Sequence, residues 1–193
     1  MIYLYNIVEQ TEVLGYGKRF AIWFQGCDKR CRNCIVPDSW NKTEGGFYLS
    51  VKEILFKIIH TKSKGVTISG GEPFLQNLKL LELVLEIKKN NLDIIVYTGY
   101  KYKELLKNKI NNEILNNIDL LIDGEYIDEL NIDTPLIGSS NQGLYVLSNY
   151  GYKLAYYISQ KTQREVEFLI KDNNVFMVGI PPKNLDKKLK EKR

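Results

Sequence analysis

The feature that most constrains the fold of this chain is an alternation of short apolar segments with longer helix-like ones. The strand-like segments are residues 19–25, 66–69, 93–99 and 118–124. The helix-like segments between and after them are residues 50–60, 75–90 and 102–110. Strands that alternate with helices are typical of βαβ units. The pattern therefore predicts an α/β fold whose parallel sheet is covered on both faces.

Two local signals refine this prediction. Ser50 and Glu53 match a capping box at the start of the helix-like segment 50–60. Residues 164–181 are typical of a C-terminal β-hairpin, with the turn residues Asp172, Asn173 and Asn174 between two apolar runs. The chain shows neither an internal repeat nor a linker. We therefore expect a single domain over residues 1–182, followed by a tail over residues 183–193.

Each of the four strand-like segments runs into a loop rich in glycine or polar residues. These loops read "GCDKRCRNC", "SGGEP", "TGY" and "DGEY" in chain order. In parallel sheets, ligands bind at the C-terminal ends of the strands. The four loops are therefore expected to meet at one edge of the sheet and to form the functional site.

The first loop holds all three cysteines of the chain, Cys27, Cys31 and Cys34, in a C-x3-C-x2-C spacing. An odd number of clustered thiols favours metal binding over a disulfide framework. Three thiolates can hold three corners of a [4Fe–4S] cube and leave one iron open to a small molecule. The alternative is a zinc site of three cysteines and a histidine, and His60 is the single histidine in the chain.

The charge of the chain is concentrated at its C-terminus. The formal net charge is +4. Residues 183–193 carry six basic and two acidic residues, which leaves 21 of each sign in the remaining 182 residues. Because the body has no basic excess, nucleic-acid binding is not expected. No apolar run approaches the about 18 residues of a membrane helix, and the N-terminus lacks a signal-peptide layout, so the expected location is the cytoplasm.

The second loop, "SGGEP", has two interpretations. Its glycines and Pro73 suit a strand-to-helix turn. Glycines also let a ligand approach the backbone, whose carbonyl groups could accept hydrogen bonds from a charged amine. Its position next to the cysteine loop favours ligand binding.

Together, these motifs resemble the radical S-adenosylmethionine (SAM) superfamily. The stretches "FQGCDKRCRNCIVPDSW", "YTGYKYKEL", "LLIDGEY" and "GSSNQ" resemble, more narrowly, the activating enzymes of anaerobic (class III) ribonucleotide reductase. The resemblance implies a partial (β/α)6 barrel and a [4Fe–4S] cluster on Cys27, Cys31 and Cys34. It also implies SAM binding by Ser69, Gly70, Gly71 and Glu72. Thr98 and Asp123 match positions that, in related activases, help to bind a monovalent cation near the SAM carboxylate.

The resemblance implies that the reduced cluster cleaves SAM and that the resulting 5′-deoxyadenosyl radical takes a hydrogen atom from a glycine Cα of a partner protein. The expected partners are the large subunit of anaerobic ribonucleotide reductase and an electron donor such as flavodoxin or ferredoxin. Two alternatives stay open at this point. The chain could be a radical SAM enzyme that modifies a peptide or small molecule directly, or a zinc-stabilised interaction module.

Overall fold

A computed structural model of the protein describes residues 1–171, 174–183 and 185. Its strands are β1 Ile2–Thr11, β2 Arg19–Phe24, β3 Phe47–Leu49, β4 Gly65–Gly70, β5 Asp93–Tyr97, β6 Leu120–Asp123, β7 Gly143–Val146, β8 Val166–Lys171 and β9 Asn174–Gly179. Its helices are α1 Val51–His60, α2 Asn77–Lys89, α3 Tyr102–Leu105, α4 Lys109–Leu115 and α5 Asn149–Gln160.

Seven strands form one mixed sheet in the order β3-β1-β2-β4-β5-β6-β7. Strands β2, β4, β5 and β6 are its centre, and neighbours among them pair in parallel. Strands β1 and β3 on one side and β7 on the other are antiparallel to their neighbours. The four parallel strands are the four predicted from the sequence, so the α/β prediction is confirmed.

Four elements of the sheet and its cover were not predicted from the sequence. They are the flanking strands β1, β3 and β7 and the helix α5. These strands lie outside the βαβ pattern, because they extend the sheet through antiparallel pairing with β2, β1 and β6.

The expected single helix over residues 102–110 is wrong in detail, because the structure divides this segment between α3 and α4. Asn108 has an extended backbone, and its side chain accepts hydrogen bonds from the N–H groups of Ile110 and Asn111. Asparagine is a good N-cap residue, so it starts a new helix instead of continuing the first. The predicted capping box of α1 is confirmed, since Ser50 and Glu53 bond each other's backbone N–H groups.

Side chains that alternate along the central strands enter two separate cores. On one face, Phe20, Ile22 and Phe24 of β2 pack in a core that includes buried residues of α1, α2 and α4. On the other face, Ala21 joins a second core with Leu154 of α5 and Val178 of β9. The second face is covered by α5 and by β8 and β9, which leaves part of it free to line a cavity.

Strands β8 and β9 pair antiparallel as a separate two-stranded sheet. The predicted turn residues Asp172 and Asn173 lie outside the described residues, and so does most of the basic tail. Among the helices of the described residues, none is both long and apolar enough to cross a membrane.

Candidate active site

A cavity of about 210 Å³ opens at the C-terminal ends of the four parallel strands. It is lined by residues from all four loops that the sequence analysis singled out. Those among the predicted site residues are Cys27, Cys31, Cys34, Ser69, Gly70, Gly71, Glu72 and Thr98. The structure therefore brings these eight residues together, as expected for loops at one edge of a parallel sheet.

The cysteine loop, residues 26–34, curls around one side of this cavity. Arg30 and Asn33 have positive φ angles of 50° and 58°, which bend the loop back on itself. The loop is anchored at its start, where the N–H groups of Gly26 and Cys27 donate to the carbonyl oxygens of Ser39 and Trp40. These bonds hold Cys27 buried, while Cys31 and Cys34 are half-buried.

Backbone N–H groups point at two of the three sulfur atoms. The Lys29 N–H lies 3.4 Å from Cys27 Sγ, and the Val36 N–H lies 3.5 Å from Cys34 Sγ. Burial raises the pKa of Cys27 and of Cys31, because a thiolate loses its hydration there. Bound metal would reverse this effect, since a coordinating thiol is deprotonated. Three thiols at one cavity, with N–H donors to two of the sulfur atoms, fit an iron–sulfur cluster.

The loop after β4 is bonded to the cysteine loop and to the end of β2 through backbone groups. Glu72 N–H donates to the Gly26 carbonyl oxygen, and Gly71 N–H donates to that of Phe24. A Cβ on Gly71 would lie 2.3 Å from the Gly26 carbonyl oxygen, and one on Gly70 would lie 2.2 Å from the Phe24 nitrogen. Gly70 also has a φ of 117°. Both glycines are therefore required for the two loops to meet.

Glu72 is fully buried, and its carboxylate joins two segments of the chain. It accepts hydrogen bonds from Thr98 Oγ1 at 2.8 Å, from Gly99 N–H at 2.7 Å and from Phe74 N–H at 3.0 Å. Burial raises its pKa to about 7, although these donors favour the ionised form. Glu72 thus ties the loop after β4 to the end of β5, and its carboxylate already has partners within the protein.

Asp123 lies at the end of β6, beside the cavity and not among its lining residues. Its carboxylate accepts hydrogen bonds from the N–H groups of Tyr102 at 2.7 Å and Gly143 at 2.9 Å. The Lys101 ammonium is 3.4 Å from the same carboxylate. The structure therefore places Asp123 where its carboxylate joins β6, β7 and α3.

Two features of the cavity were not predicted from the sequence. Lys29 of the cysteine loop stacks over the ring of Tyr100, with Nζ 3.7 Å from the ring centroid, and Tyr100 Oη donates to Asp28. The buried Arg164, just before β8, also lines the cavity and bonds carbonyl groups of two segments. No local sequence pattern predicts the contacts of Lys29 or those of Arg164, because the contacting residues are far apart along the chain.

His60 does not lie near the cysteines. It is in the last turn of α1, at the edge of the sheet where β4 begins, with Nδ1 2.8 Å from the Phe56 carbonyl oxygen. Within the described ranges, no three His, Cys, Asp or Glu side chains could hold one metal ion. Zinc would require such convergence, with Zn–S bonds of about 2.3 Å. An iron–sulfur cube spreads three thiolates over three iron atoms and does not require them to converge on one ion.

The sequence matches the family described as 4Fe–4S single cluster domain over residues 13–145. It is 36% identical to the anaerobic ribonucleoside-triphosphate reductase-activating protein of Haemophilus influenzae, over 68% of this chain and 90% of that protein. The protein of the same name from Enterobacteria phage T4 is 32% identical, over 69% and 86%.

A pyruvate formate-lyase-activating enzyme from Clostridium pasteurianum is 34% identical over 65% of this chain and 53% of that enzyme. The alignment thus spans about half the length of this longer relative. The crystal structure of QueE from Escherichia coli aligns with a TM-score of 0.45 and 23% identity, over 51% of this chain and 52% of that one. On its match to the cluster domain and its identity to the two shorter relatives, the chain belongs to the family of anaerobic ribonucleoside-triphosphate reductase-activating proteins and carries a 4Fe–4S single cluster domain.

Proposed function

We propose that this chain is a radical SAM enzyme that generates a glycyl radical on anaerobic ribonucleoside-triphosphate reductase. The observation that carries the proposal is the cavity itself, which is shared by three cysteines and the glycine-rich loop after β4. The names of its relatives support the same activity, since they are activating proteins of that reductase.

In this proposal Cys27, Cys31 and Cys34 hold a [4Fe–4S] cluster, and one iron has no protein ligand. When bound, the cluster supplies the single electron that cleaves SAM. The role of the protein is to orient both groups and to limit the access of water. Trp23 and Trp40 also line the cavity and provide apolar walls next to the cysteine loop.

We assign SAM to the side of the cavity formed by residues 69–72 and Thr98. The glycines leave backbone carbonyl groups accessible to the amino group of SAM. Because the Glu72 carboxylate is bonded to Thr98 and Gly99, we assign it a positioning role: it keeps the ends of β4 and β5 at a constant separation.

Asp123 does not line the cavity; its carboxylate bonds the N–H groups at the start of α3 and of β7. A monovalent cation at this carboxylate would have to displace the Lys101 ammonium, which is 3.4 Å away. We therefore propose that Asp123 acts on SAM through the position of these neighbouring segments.

We further propose that residues 1–182 are one domain in which the sheet curves as a partial (β/α)6 barrel. The support for one domain is that Ile180 and Pro181 line the same cavity as the cysteine loop. The support for the curvature is that the loops after all four parallel strands line this one cavity. The partner would be the large subunit of the reductase, which presents its glycine at the cavity, and a flavodoxin or ferredoxin would reduce the cluster.

The proposal is tested by anaerobic reconstitution, reduction, and mixing with SAM and purified reductase from the same organism. We expect about four iron and four sulfide per chain, release of 5′-deoxyadenosine, and a glycyl-radical doublet in the paramagnetic resonance spectrum. A Cys31→Ala variant is the matched control and should show neither product. Release of 5′-deoxyadenosine without the doublet would indicate another substrate, whereas zinc without sulfide would contradict the enzyme assignment.

A further inference from the structure

The hairpin of β8 and β9 has two chemically distinct faces. Phe168 pairs with Met177 and Ile170 pairs with Val175 across the two strands. Because side chains alternate along a strand, these four residues lie on one face. Leu169 and Val178 are on the opposite face and pack against the second core. Leu169 and Val178 therefore attach the hairpin to the body through this opposite face.

The free face consists of four exposed apolar side chains and is here called the hairpin apolar face. Its members are Phe168, Ile170, Val175 and Met177, with exposed fractions of 49%, 81%, 65% and 39%. Contiguous exposed apolar patches are uncommon on soluble proteins and mark interaction sites. None of these four described side chains is charged, which argues against an acidic or nucleic-acid ligand.

The hairpin apolar face continues into the wall of the active-site cavity. Met177 belongs to both, and Gly179 at the end of β9 and the following Ile180 and Pro181 also line the cavity. Arg164 holds this end of the hairpin in place, because its guanidinium donates to the Pro181 and Gly138 carbonyl oxygens. A chain segment that enters the cavity past Met177 would therefore lie across this face.

The size of the cavity restricts what can enter. A folded protein cannot enter a space of about 210 Å³, so a reacting glycine must arrive on an extended segment or loop. The basic tail of this chain is a poor candidate for the same surface, since eight of its eleven residues are charged.

We propose that the hairpin apolar face is the docking surface for an extended, apolar segment of the partner protein that carries its reacting glycine. This inference rests on the proposed function, because it assumes a protein substrate. Apolar side chains on alternate positions of that segment would pack on Phe168, Ile170 and Val175, and its glycine would pass Met177 into the cavity.

The test is the double variant Ile170→Glu/Val175→Lys. Neither residue lines the cavity, and opposite charges at this cross-strand pair preserve hairpin pairing while removing the apolar surface. The matched control is Leu78→Glu, which removes a single apolar side chain that is 66% exposed on α2. Each reconstituted enzyme is assayed for SAM cleavage without partner, for binding of purified reductase, and for the glycyl-radical doublet.

We expect the double variant to bind the reductase and to form the doublet at least about tenfold less well, with SAM cleavage within about twofold of wild type. The Leu78→Glu variant should match wild type in all three assays. Full radical formation by the double variant would overturn the inference and leave the proposed function intact. A loss of SAM cleavage without partner that equals the loss of the doublet would also overturn it. The same holds if wild type is a dimer, the double variant is a monomer, and radical formation is unchanged. If wild type cleaves SAM and forms no doublet, the proposed function fails and the inference with it.

Discussion

Replacement of Arg164 by methionine is a direct test of how the cavity wall is held together. The Arg164 side chain is 1% exposed. Its guanidinium donates to four backbone carbonyl oxygens, those of Thr134, Ile137, Gly138 and Pro181. It also lies 3.5 Å from Asp133. Methionine fills a similar volume and can make none of these bonds.

The expected cost follows from these contacts. Hydrogen bonds to a charged donor contribute about 1.5–3 kcal/mol each, so four of them set an upper limit of about 6–12 kcal/mol. The variant also avoids the desolvation of a buried guanidinium, which is worth several kcal/mol. The difference is a loss of about 3–5 kcal/mol, which is a large part of the about 5–15 kcal/mol that stabilises a typical protein.

The assay is urea unfolding of the iron-free, reduced protein, monitored by circular dichroism. The control is Arg32→Met, because Arg32 is 81% exposed and pairs with an exposed Glu129. This control should lose less than about 1 kcal/mol. If Arg164→Met does not fold, Arg164→Lys keeps the charge and should lose about 2–3 kcal/mol. If Arg164→Met loses no more free energy of unfolding than the control, Arg164 does not hold the cavity wall together.

Four further outcomes are expected. Replacing any one of the three cysteines by alanine should abolish SAM cleavage, and a full yield of 5′-deoxyadenosine would remove that residue from the cluster. In the wild type, Arg19 Nη1 lies 2.6 Å from the buried Asp93 carboxylate. Arg19→Met removes this ion pair and should lower the free energy of unfolding in urea by about 3–5 kcal/mol. A loss as small as that of Arg32→Met would contradict this. The folded-state pKa of Glu72 is raised to about 7 from 4.5, so its ionisation opposes folding and the protein loses stability as pH rises. Between about pH 5 and about pH 8 the free energy of unfolding of the iron-free wild type should therefore fall by about 2–3 kcal/mol more than that of Glu72→Gln. Parallel plots of the free energy of unfolding against pH for the two proteins would exclude this titration. Asp123→Asn should lower the free energy of unfolding by about 2 kcal/mol and leave the iron content unchanged, so unaltered stability would argue against its bonds to α3 and β7.

The parallel centre of the fold and eight of the residues that line the cavity could be predicted from the sequence. Local signals were sufficient for this, because short apolar runs followed by a glycine mark β4, β5 and β6 together with the edge where their loops meet. The capping box at Ser50 is equally local, since both partners lie within one helical turn. The cysteine spacing likewise marks the first loop without reference to the rest of the chain.

Other features of the fold depend on residues that are distant along the chain. The antiparallel strands β1 and β7 are defined by pairing with β2 and β6, which no periodicity in their own residues specifies. Arg164 bonds carbonyl groups 17 to 30 residues away, so its position in the cavity wall could not be read from its neighbours.

The two buried carboxylates illustrate the same difference between what the sequence and the structure determine. The sequence predicts that Glu72 and Asp123 lie in strand-end loops, and only the structure shows which groups each carboxylate bonds. Glu72 bonds Thr98 and Gly99, and Asp123 bonds Tyr102 and Gly143. The reason is physical: a buried carboxylate must find hydrogen-bond donors, and only the folded chain determines which donors are within reach.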